Sequence, residues 1–206
     1  MNRSYASAGA TELAGLAGMT RLPLRVPGLL RQPRGGAQPV VVLPGRSFGD
    51  ASTAPLRAYL GSLGYRVSGW RLGTNDGQVG RLIPAAAEVV EAVCERRGRP
   101  VALVGQSLGG YVAREVARRR PDLVSRIVTI GTPIFAAHSR GSIRCPVTAI
   151  YSAADQIVST AYSIDRAPGA VNVEVRSTHL AMGFDPDVWH AVAVALSSRD
   201  APAAPA

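Results

Sequence analysis

The sequence predicts an α/β fold: a mostly parallel sheet of about six strands with helices on both faces and no substantial cap domain. Two observations predict it. Short apolar, strand-like runs alternate with helical patterns from Pro39 to Ser198, and the run Val101-Ala102-Leu103-Val104 leads straight into Gly105-Gln106-Ser107-Leu108-Gly109 and on into a helix. Strands separated by helices need right-handed crossovers, which make the sheet parallel and cover both of its faces.

Residues 1–38 are rich in Gly, Pro and Arg, with a weak helical pattern at Leu13, Leu16 and Ala17, and read as a partly ordered N-terminal arm. They lack the apolar core of a signal peptide, so a cytoplasmic protein is expected. The domain proper is expected over 39–198. Ser52 reads as the cap of a helix carrying Leu56, Tyr59, Leu60 and Leu63 on one face. A strand over 66–72 follows, then a helix over 78–97 whose stripe Ile83, Ala87, Val90, Cys94 places Cys94 in a helix–sheet interface. After the strand at 101–106, a helix runs to Arg120, where Pro121 stops it. Strands at 127–130, 148–151 and 171–176 and a helix over 187–198 complete the domain, leaving 199–206 as a disordered tail.

A serine between a strand and a helix in Gly-x-Ser-x-Gly sits on a sharp turn that needs small neighbours on either side, and Gly105 and Gly109 meet that need as the structural glycines of such an elbow. The new helix points free N–H groups and the positive end of its dipole at any oxyanion that forms beside Ser107. A serine hydroxyl needs a base, and the base needs a partner that sets its tautomer. Three histidines are available. His138 lies in a polar stretch and reads as a solvated loop residue, and His190 reads as a helix-face residue. His179 follows the alternating strand Val171–Val175 and precedes a turn-rich stretch, at the carboxyl end of a strand, where parallel α/β sheets collect functional groups. Asp155, leaving the strand that ends at Tyr151, fits the acid. Its competitors Asp122 and Asp165 read as solvated. The chain order Ser107, Asp155, His179 is that of the α/β-hydrolases.

The chain resembles an α/β-hydrolase of the bacterial esterase/lipase type, lidless or with a short lid. Besides the three residues, Pro39–Ser47 is similar to that family's early strand, which usually ends in His-Gly; here Pro44 replaces the histidine before Gly45. Leu63–Val67 with Gly69-Trp70, then Leu72–Gly77, resembles the segment joining the next helix and strand, and Ile130-Gly131-Thr132-Pro133 resembles the end of the strand after the elbow helix. The resemblance implies cleavage of carboxylic esters through an acyl-enzyme, with backbone N–H groups of Leu108 and Arg46 as the oxyanion hole. Thioester cleavage or acyl transfer by the same triad, and a catalytically idle binding protein on the same fold, are the alternatives. Only Ile134 to Arg144 is available where relatives carry a lid, so an open, shallow site is expected.

Composition narrows the partners. The 206 residues are 47% hydrophobic, with mean hydropathy near zero, as in a globular chain with one sizeable core. The net charge of +9 comes from 23 basic residues that are all Arg. They are scattered, with Arg118-Arg119-Arg120 the only run of three, at a helix C-terminus where the dipole favours it. No nucleic-acid partner is expected, and weak attraction to an anionic membrane surface stays open, as does the oligomeric state. The partner expected is a small-molecule ester substrate. No metal site and no cofactor is expected, and a bridge between Cys94 and Cys145 is left open.

Overall fold

In the computed structural model, which describes Arg25 and residues 28–134 and 142–198, the two faces of the sheet can be traced to the period-2 alternation of its first strand, β1 (Pro39–Leu43). Val40 and Val42 pack in one buried layer with helices α1 (Asp50–Ser62) and α5 (Pro186–Ser197). Val41 and Leu43 pack in the other, with α2 (Val79–Arg97) and α3 (Leu108–Arg119). Successive side chains of a strand point to opposite faces, so a strand buried on both sides is apolar throughout, and β1 has no exposed residue. The remaining strands are β2 (Arg66–Gly69), β3 (Val101–Gln106), β4 (Val124–Ile130), β5 (Val147–Ser152) and β6 (Val171–Val175), with a one-turn helix α4 (Thr160–Ser163) between the last two.

All six strands are parallel, in the order β2-β1-β3-β4-β5-β6. The chain runs outward from β1 to β2 and then returns to the other side of β1 as β3. Connections therefore diverge between β1 and β3, and a crevice opens beyond their carboxyl ends, the place where open α/β sheets bind ligands. The loop after β1 holds Arg46 and the turn after β3 holds Ser107. Residues 131–146 join β4 to β5, and no cap domain is inserted there.

Several local expectations are corrected. Ser52 is inside α1 rather than capping it; Gly49 occupies the cap and Ser52 Oγ donates to its carbonyl at 2.8 Å. The side chain of Asp50, at the first helical position, instead accepts from the N–H groups of Trp70 and Arg71 at 3.0 and 3.1 Å. Those bonds end β2 at Gly69, and Arg71 turns to φ 60°, so the strand expected to reach residue 72 stops early. β4 begins three residues sooner than expected because Val124 pairs with Val101. Asp165, expected to be solvated, is buried in an ion pair with Arg114 of α3. Within the expected arm, Leu29 is buried against α1, where Tyr59 Oη donates to its carbonyl at 3.2 Å. Residues 1–24, 26 and 27 of the arm, His138 and the tail 199–206 lie outside the described residues. Cys94 and Cys145 are both free thiols packed beside the α2–α3 layer.

Candidate active site

The turn after β3 forces Ser107 into φ 51°, ψ −123°, a region that L-residues rarely occupy. Such a backbone costs about 1–3 kcal/mol and persists only where its surroundings hold it. Here the Ser107 N–H donates to the Ile130 carbonyl at 2.7 Å, tying the turn to the end of β4. A Cβ on Gly105 would sit inside the backbone of Gly110, and one on Gly109 would strike the carbonyl groups of Leu43 and Pro44. Helix α3 can therefore start immediately beside β1 only because both positions are glycine.

His179 and Asp155 arrive on the loops after β6 and β5. Asp155 Oδ2 lies 2.7 Å from His179 Nδ1, and His179 Nε2 lies 2.9 Å from Ser107 Oγ. The other carboxylate oxygen of Asp155 accepts from the N–H groups of Ile157 and Val158, each at 2.8 Å. Three bonds thus fix a carboxylate that is almost wholly buried. With the ring proton on Nδ1, directed at Asp155, Nε2 is left to accept the serine hydroxyl proton. The two loops are also tied to each other: Ser152 Oγ accepts from Ala154 N at 3.0 Å and from Ser177 N at 3.3 Å. Gly131, at φ 54°, passes so close that a Cβ there would be 3.2 Å from both Asp155 Oδ2 and His179 Nδ1.

The structure thus brings Ser107, Asp155 and His179 together. The alternatives fall elsewhere. His190 is exposed on α5 and lines a cavity of about 640 Å³ at the amino ends of β5 and β6, the opposite end of the sheet from Ser107. The Asp165 N–H donates to Asn172 Oδ1 at 2.8 Å near the start of β6, again at that opposite end. Asp122 is exposed and pairs with Arg120. Leu108 opens α3, so its N–H has no intrahelical acceptor. Arg46 follows Gly45, where an added Cβ would lie 3.4 Å from Ser107 Cβ, so the loop after β1 runs beside the serine. No backbone acceptor engages the Arg46 N–H among the described residues.

Sequence reasoning missed Ser152 and Asn75. Asn75 is fully buried and bonds across 31 positions to Pro44 O. An asparagine in a stretch rich in Gly and Asp looks like an ordinary turn residue, so no local signal marks it. Among the described residues no group of three or more His, Cys, Asp or Glu is placed to hold a metal ion. No helix among them is long and apolar enough to cross a membrane.

No protein-family model and no curated protein matches the sequence. Solved structures do match its fold. An alpha/beta hydrolase enzyme from the metagenome of Mar Chica lagoon sediments is 17% identical, with a TM-score of 0.60 over 77% of this chain and 90% of that one. A Xanthomonas campestris protein assigned to the alpha/beta hydrolase superfamily is 18% identical, with a TM-score of 0.57 over 75% of this chain and 97% of that one. Lipase B of Aspergillus fumigatus is 20% identical, with a TM-score of 0.61 over 79% of this chain and 53% of its own length. With six parallel strands, helices on both faces and these structural neighbours, the chain has the α/β-hydrolase fold.

Proposed function

We propose that the protein is a serine hydrolase that cleaves carboxylic esters through an acyl-enzyme. The observation that carries the reading is the unbroken relay from Ser107 Oγ through His179 to Asp155, at 2.9 and 2.7 Å. Ser107 Oγ attacks the ester carbonyl as His179 Nε2 takes its proton. The tetrahedral oxyanion is received by the N–H groups of Leu108 and Arg46, helped by the amino end of α3. His179 then passes the proton to the leaving alcohol, and the carbonyl re-forms as an acyl-serine. Water, deprotonated by the same imidazole, attacks the acyl group, and the proton returns to Ser107 as the acid departs. Asp155 holds the ring and offsets its positive charge.

The fit is chemical as well as geometric. Asp155 is buried, and its second oxygen is held by two backbone N–H groups, so the imidazole cannot swing away without breaking a fixed bond. The test is turnover of p-nitrophenyl acetate and butyrate by purified protein, with a Ser107→Ala control. Hydrolysis that vanishes in the control supports the reading, and hydrolysis that survives in a folded Ser107→Ala variant rejects it.

A further inference from the structure

We infer that Asn75 is a positioning residue for this reaction, holding the loop after β1 so that the Arg46 N–H meets the oxyanion; the inference rests on the proposed role of Ser107. The loop over residues 44–48 has no regular structure of its own, and Ser47 within it stands at φ 67°. Asn75 supplies what regular structure does not. Its N–H donates to Phe48 O at 2.8 Å, its carbonyl accepts from Ser47 N at 2.7 Å, and its side-chain Nδ2 donates to Pro44 O at 2.9 Å. One residue thus grips the loop on both sides of Arg46.

The side chain itself is oriented, because Asn75 Oδ1 accepts from Gly77 N at 3.1 Å and so the NH₂ edge must face Pro44. The Pro44 carbonyl in turn lies against Gly109 in the first turn of α3, where an added Cβ would strike it. The Asn75–Pro44 bond therefore sets the spacing between the two strands of backbone that carry Arg46 and Leu108. The Arg46 side chain packs beside the turn at Asn75–Gly77, its Nε 3.2 Å from where a Cβ of Gly77 would lie. Both main-chain bonds survive any ordinary substitution at position 75, so the side-chain bond can be removed alone.

The experiment uses the full chain with Asn75→Asp and Asn75→Ala. The aspartate has nearly the same shape and keeps an acceptor for Gly77 N, but it loses the donor to Pro44 O. With p-nitrophenyl butyrate, kcat should fall about 10²-fold, the scale of a displaced or lost oxyanion donor, while KM stays within about twofold. Affinity for a butyryl trifluoromethyl ketone, which adds the serine and bears an oxyanion, should fall in step with kcat/KM, whereas affinity for the matching butyramide should hold. A kcat within about twofold of wild type overturns the inference. So does a rise in KM alone, an equal loss for ketone and amide, or loss of near-UV circular dichroism in both variants, each of which marks a purely structural role. A wild-type protein that neither turns over esters nor reacts with a fluorophosphonate rejects the ester-hydrolase reading and this inference together; active wild type with undiminished Asn75 variants rejects this inference alone.

Discussion

Ser107 stands in a backbone conformation that its surroundings must enforce, and His179 Nε2 lies 2.9 Å from its Oγ with Asp155 2.7 Å behind the imidazole. Replacing Ser107 by Ala should therefore abolish ester turnover and fluorophosphonate labelling while leaving the melting temperature near that of the parent. Asp155→Asn should keep the fold but lower kcat by roughly 10⁴, because the amide favours the wrong histidine tautomer. Asp165→Asn gives the contrasting result. It breaks a buried ion pair with Arg114, so it should destabilise by about 3–5 kcal/mol in urea unfolding while the folded fraction retains its activity. If instead Asp165→Asn is inactive though folded and Asp155→Asn turns over normally, the acid is misassigned. Burial pushes the Cys145 thiol up to about 11, so iodoacetamide at pH 8 should modify it slowly in the native protein and rapidly in urea. The sign for stability follows: the unfolded thiol ionises near 9 and the native one near 11, so the contribution is full below the first value and lost as pH rises towards the second. At this scale Ser107, Asp155 and His179 were legible in the sequence because strand ends and chain order leave few candidates. Ser152, Asn75 and the burial of Asp165 were not, because each depends on partners 25 to 51 positions away that no local pattern announces.

Among the elements, the turn between β3 and α3 depends on glycine by contact rather than by propensity. Gly105→Ala should push a methyl group into Gly110 and displace the start of α3. Overpacking of that kind costs about 1–3 kcal/mol, and here it also moves Ser107 and Leu108, so activity should drop more than stability. Comparing thermal midpoint with kcat/KM checks it, and an alanine variant with full activity would show that the turn has slack. Trp189 of α5 stacks on Tyr59 of α1, with centroids 5.3 Å apart at 19°, and its Nε1 donates to Gly183 O at 3.0 Å beside the histidine loop. Trp189→Ala should cost about 3–5 kcal/mol by chemical denaturation, the range for large aromatic truncations in cores. Strands and long helices were legible here because each buries an apolar set at period 2 or 3.6. Their ends were not. Asp50 closes β2 through bonds between elements, and α1 is capped by Gly49, which has no side chain to announce it, whereas Ser52 next to an apolar stripe imitates a local cap.

For the whole molecule, the fold class was legible from the alternation of strands and helices, but the strand order was not, since hydrophobic period is silent on which strand lies beside which. That order matters most: with β3 beside β1, the loop that carries Arg46, held by the buried Asn75, runs beside Ser107. The short connection of residues 131–146 leads to a prediction at this scale. With no room for a cap, rate should rise smoothly through the solubility limit of tributyrin, and a jump at that limit would reveal a cover. The most direct test of the central claim is to label the protein with a fluorophosphonate and map the adduct by peptide mass spectrometry. A single adduct is expected on Ser107, formed in parallel with loss of p-nitrophenyl ester turnover and absent from His179→Ala. An adduct on another residue, or undiminished turnover by fully labelled protein, would contradict it.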